Sequence, residues 1–142
     1  MTRTLTFTSI LWFTAQAGVL AQNIGSVMDR FATYWARADA SAIAALASDD
    51  GITLNIDSKQ MGPLGPRQVT ALLRRLFDDS ETINVRPLTP QIVRGDPPRA
   101  FGELTWTMRP RGTTIPERTT VFVAWILEDD HWRITEIRSA KP

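Results

Sequence analysis

The chain has 142 residues, with 43% hydrophobic and 22% charged, which is one domain's worth of an ordinary globular protein. It contains no cysteine, so disulfides, thiolate nucleophiles and cysteine-bound metals are excluded. Its formal charge is +1, without the basic excess of a nucleic-acid binder, so no nucleic-acid partner is expected.

In chain order, MTRTLTFTS carries one basic residue, Arg3, and the apolar stretch SILWFTAQAGVL follows. The stretch is too short to cross a bilayer of about 30 Å as a helix. Val19-Leu20-Ala21 then puts small or apolar residues where a signal peptidase cuts. Residues 1–21 are therefore predicted to be a secretory signal peptide and residues 22–142 a single domain. Gln22 would be the mature N terminus, or Gly18 if the cut follows Ala15-Gln16-Ala17. A periplasmic or secreted location follows, with no membrane anchor after cleavage. Losing Arg3 leaves 15 of the 16 basic residues against 15 acidic ones, a neutral mature chain.

Ile24, Val27, Met28, Phe31, Tyr34, Trp35 and Ala38 fall on one stripe of a long amphipathic helix. Asp39 can cap a second, shorter helix carrying Ile43, Leu46 and Ala47, which Gly51 ends. Ile52, Leu54 and Ile56 alternate with Thr53, Asn55 and Asp57, the pattern of a half-buried strand. Gly62-x-x-Gly65 lacks the lysine of a phosphate loop and reads as a loop. Pro66 suits a helix start, and Val69, Leu72, Leu73, Leu76 and Phe77 repeat at helical spacing. Arg74 with Asp78, and Arg75 with Asp79, are spaced as i,i+4 pairs on the solvated face.

The remainder is strand-like. Ile83 to Val93 is broken by Pro87 and Pro90, which predicts an edge strand or a bulge. Ala100 to Met108 alternates, with Gly102, Leu104, Trp106 and Met108 on one face. Thr119 to Leu127 is apolar on both faces, as a central strand is. Glu128-Asp129-Asp130 turns the chain into a last strand, His131 to Arg138.

Helix, helix, strand, helix and about four antiparallel strands make an α+β order. The DRFATYWARAD helix, the ALASDDGITLNID passage, the GPRQVTALLRRLF helix and the closing DDHWRITEIR strand resemble the nuclear transport factor 2-like superfamily, in particular its small exported bacterial members of uncharacterised function. The resemblance spans roughly residues 24–140. It implies a curved antiparallel sheet of about four to six strands, wrapped as a cone around a long N-terminal helix and two shorter ones.

The superfamily includes ketosteroid isomerase, which uses a tyrosine on the first helix, an aspartate base on the first strand and a second acid on a late strand. Those positions fall on Phe31, Asn55 and the Val123-Ala124-Trp125 run. None of these residues can transfer a proton, so the resemblance does not carry the isomerase mechanism. Asp57 is the one weak catalytic candidate, and strand parity with Ile56 turns it away from the helices, toward a strand edge or turn. His131 is the single histidine, so a histidine-cluster metal site is excluded. A Ser/His/Asp triad would have to use it, and its place after an acidic turn favours an exposed hairpin residue. No cofactor is expected.

The aromatics are divided between core and a lined apolar pocket. The pocket candidates are Tyr34, Trp35, Trp106 and Met108, with Arg109 or Glu103 as a polar contact near the rim. The expected function is that of an exported, non-catalytic binding protein holding a small apolar molecule or a protein partner in the cone. Two alternatives stand beside it. One is an isomerase- or dehydratase-like enzyme using Asp57 or Glu103, and the other is a structural dimerisation subunit. A homodimer through the sheet's exposed face is expected because the helices can cover only one face of Thr119 to Leu127.

Overall fold

The computed structural model describes the backbone of residues 15–140 and the side chains from Ile24 onward. Residues 1–14, most of the predicted signal peptide, lie outside the described residues. Both predicted cleavage points fall on the first helix, α1 (Ala15–Ala36). No helix among the described residues is long and apolar enough to cross a membrane.

From Ile24, α1 presents the predicted stripe: Ile24, Val27, Met28, Phe31 and Trp35 are buried, and Tyr34 is half-buried. Ala38, predicted on that stripe, lies past the helix end in the left-handed region at φ 54°. The chain there makes a Schellman closure, in which Asp39 N–H donates to the Tyr34 carbonyl and Ala38 N–H to that of Trp35. Asp39 at once caps α2 (Ala40–Ala44), its carboxylate accepting from Ala42 N–H at 3.2 Å. In α3 (Pro66–Asp78), proline opens the first turn, and Val69, Leu73 and Phe77 are buried. The Arg74–Asp78 and Arg75–Asp79 pairs do not form. Among the described residues the one ion pair is Arg109–Glu81, because solvated side chains on a helix face gain little from being held together.

The strands are β1 (Ile52–Ile56), β2 (Lys59–Leu64), β3 (Ser80–Pro87), β4 (Gln91–Val93), β5 (Arg99–Pro110), β6 (Glu117–Glu128) and β7 (His131–Ala140). They form one seven-stranded sheet in the order β2-β1-β7-β6-β5-β3, with β4 also on β5. The α+β class and the curved sheet stand as expected, and two details of the expectation are corrected. The sheet is mixed, since β1 runs parallel to β7, and it has seven strands, above the four to six expected. The added strands come from segments where proline and glycine mask strand character. Gly62-Pro63 lies inside β2, read as a loop in the sequence, and an edge strand tolerates a residue with no N–H. The proline-broken run from Ile83 to Val93 divides into β3 and β4, which share β5 as neighbour.

All three helices pack on one face. On β5 the buried positions are Ala100, Gly102, Leu104, Trp106 and Met108, and on β6 they are Thr119, Val121, Val123 and Trp125. Gly102 is what lets α1 come this close: a Cβ there would lie 2.6 Å from the Met28 sulfur. Each fully buried large side chain contributes about 1.5–3 kcal/mol.

Candidate functional site

The interior of the cone is closed by interlocking rings. Trp35 stands edge-on to Trp106, with centroids 5.4 Å apart, and to Phe77 at 5.0 Å; Phe31 meets Trp125 edge-on at 5.9 Å. Such pairs add about 0.5–1.5 kcal/mol beyond their buried area. Trp35 is 0% exposed and Trp106 1%. Trp106 also donates its indole N–H to the Thr82 hydroxyl at 2.9 Å. Three pocket candidates, Trp35, Trp106 and Met108, are thus brought together as packed core, with Tyr34 half-buried against them. Among the described residues the buried polar side-chain atoms are the Ser48 and Thr119 hydroxyls and tryptophan indole N–H groups, those of Trp35 and Trp125 without an acceptor, so no ionisable side chain is buried in the interior. The Ser48 hydroxyl donates to the Glu128 carboxylate, tying the α2–β1 link to the end of β6.

Arg109 takes a different place from the pocket rim. It lies opposite Glu81 across β5 and β3 and donates to its carboxylate at 2.8 Å. That hydrogen bond, then the Arg109 charge, holds the Glu81 carboxyl below the usual carboxylate range; burial opposes slightly and Arg111 adds to the lowering. Arg111 uses its guanidinium on the Asp78 carbonyl and so closes the end of α3.

Asp57 is exposed in the two-residue turn joining β1 to β2, with Asp57 and Ser58 both left-handed at φ 52° and 66°. Asp129 and Asp130 repeat the arrangement between β6 and β7, leaving His131 exposed beside the turn. Such turns suit the sheet's twist. Asp57 shares an open pocket of about 550 Å3 with Asn55 and Arg138. The isomerase-type positions are also placed: Phe31 is in the core, Asn55 is half-buried on the outer face, and Val123 and Trp125 point inward beside outward Ala124. Among the described residues no group of three or more histidine or acidic side chains is placed to hold a metal ion.

The sheet's outer face carries aromatic rings beside charges of both signs. Pairing sets Glu103, Phe122 and Arg138 in one row and Phe101, Ala124 and Glu136 in the next. The Arg138 guanidinium lies 4.8 Å from the Phe122 ring centroid, a cation–π contact. Phe101 is 51% exposed and Leu88 48%. Where the edge of the sheet swings away between β3 and β4, Leu88 and Thr89 wall a pocket of about 330 Å3 over this grid. The alternation of β5 already turned Phe101 and Glu103 outward. Glu136 and Arg138 join them only through the register of β6 on β7, which the sequence does not display.

No protein-family model and no curated protein matches this chain. Solved structures do. A Streptomyces avermitilis protein from the nuclear transport factor 2-like family, provisionally named a dehydratase, is 14% identical, with a TM-score of 0.67 over 89% of this chain and 99% of that one. A Novosphingobium aromaticivorans protein of the same type, described with a cystatin-like fold, is 16% identical, with a TM-score of 0.60 over 91% of this chain and 89% of that one. A DUF4783 family protein from Bacteroides uniformis is 11% identical, with a TM-score of 0.59 over 85% of this chain and 95% of that one. At such identities the likeness concerns architecture and carries no chemistry. A curved, unclosed mixed sheet of seven strands with three helices on one face gives this chain the nuclear transport factor 2-like fold.

Proposed function

We propose that this is an exported, non-catalytic binding protein whose partner is a second copy of the chain, held on the outer face of the sheet. One observation carries the reading: the cone interior, where this fold would take a small molecule, is filled by aromatic side chains and, among the described residues, buries no ionisable group. Proton transfer needs a group of suitable pKa within reach of the substrate, and the interior supplies none. The outer face instead combines exposed Phe101 and half-buried Phe122 with charges of both signs, Glu103, Glu136 and Arg138. A two-fold contact brings the same patch to both partners, so a surface with both signs can complement itself. Export rests on the order of charged, apolar and small residues in residues 1–21. Intact mass of the exported protein tests it, with a mature N terminus at Gln22 or Gly18 as the expected result.

The absence of cysteine makes the self-association test clean. Ala124→Cys and Thr105→Cys place single thiols on the outer face, and Arg67→Cys places one on exposed α3. Under mild oxidation the outer-face variants should form disulfide-linked dimers much faster than the α3 control. Equal rates would remove the reading.

A second reading, a dehydratase-like enzyme, has one observation in its favour: Glu103 and Glu136 line the same outer pocket. It requires that pocket to be open to substrate, so enforced dimerisation by the Ala124→Cys disulfide should abolish any turnover.

A further inference from the structure

We infer that the cleft between α1 and the β6–β7 hairpin binds a small carboxylic acid with an apolar body. This cleft, of about 320 Å3, is separate from both the filled cone and the outer-face grid. Pockets that hold small molecules begin at about 300 Å3, so its size suits a compact ligand.

Its chemistry divides into a charged rim and an apolar wall. Arg30 from α1 and Arg133 from β7 supply two guanidiniums, with the His131 imidazole beside them and Asp130 as the single acid. Among the described residues neither arginine takes part in an ion pair, the one such pair being Arg109–Glu81. Arg133 is steered at the rim by a long hydrogen bond, 3.4 Å, to the Ala45 carbonyl. Guanidiniums present planar forks of donors that match a carboxylate, and they lose less hydration than an ammonium on doing so.

The wall consists of Val27, Leu46 and Trp132. Trp132 is 4% exposed, and its indole N–H meets no acceptor. A buried donor left unmet costs about 1–3 kcal/mol. The indole N–H groups of Trp35 and Trp125 in the core are unmet as well, so the two guanidiniums of the rim, and not the indole, are what select acceptor oxygens. The apolar wall selects against a bare inorganic anion, which would leave Val27 and Leu46 facing water. With a single acid facing two arginines, the cleft is also a poor host for a cation.

Octanoate serves as the probe and 1-octanol as its uncharged counterpart, titrated calorimetrically into the full chain. Octanoate should bind saturably, and 1-octanol at least tenfold more weakly. Arg30→Gln and Arg133→Gln should each weaken octanoate binding at least tenfold while keeping the wild-type melting curve and sedimentation behaviour. Absence of saturable octanoate binding, equal affinity for 1-octanol, or unchanged affinity in both folded variants would overturn the assignment. Sedimentation of the same variants reports dimer formation separately from octanoate binding, so failure of this assignment and failure of the dimer reading are distinguishable.

Discussion

Asp57 lies one residue past the end of β1, so the turn and not strand parity sets its direction. The alternation of Ile52, Leu54 and Ile56 predicts it outward, and the structure puts it in a hairpin turn, exposed and left-handed. Asp57→Asn should therefore change stability by less than about 0.5 kcal/mol in denaturant melts at any pH from 5 to 8. Ser58 is left-handed without being glycine, and relieving that conformation stabilises by about 1 kcal/mol. Ser58→Gly should raise the denaturant midpoint accordingly, since Asp-Gly is a preferred pair for this turn. Glu81 titrates instead of strains. Its folded carboxyl is held below its unfolded value by Arg109, so the pair's stabilisation is present above the unfolded pKa and fades as pH falls through the folded one. Glu81→Gln should flatten that acid limb in melts between pH 3 and 6. The effect is small, because Glu81 is largely solvated and Arg109 partly so.

At the scale of elements, legibility followed the strength of the local pattern. The stripe of α1 and the alternation of β5 are repeated signals, and both elements bury most of the expected residues, with Tyr34 half-buried and Ala38 exposed past the end of α1. β2 was hidden because Gly62 and Pro63 suit a bend by propensity, and only pairing with β1 makes them strand. The outer grid was hidden for a related reason: Glu103, Phe122 and Arg138 are distant in sequence and become neighbours through register alone. The pocket candidates were drawn by size and apolarity, which do not distinguish a side chain lining a space from one filling it. Gly102, by contrast, marks a contact between elements. Gly102→Val would drive branched carbons into the Met28 thioether and the Val123 methyl, and overpacking of this kind costs about 1–3 kcal/mol. A thermal melt should show the loss, and Met28→Ala in the same chain should recover part of it.

For the whole molecule, the two sides of the sheet have different work. Helices seal one face over a solid aromatic core, while the other presents exposed phenylalanine among charges of both signs. If the working surface is that outer grid, a charge placed at its centre should separate the partners without disturbing the core, since Phe122 points away from Val121 and Val123. Sedimentation equilibrium of residues 22–142, run at micromolar concentrations beside Phe122→Glu, measures this directly. Twice the chain mass is expected for the wild type and a single folded chain for the variant. A wild type that sediments as one chain at every concentration would contradict the dimer.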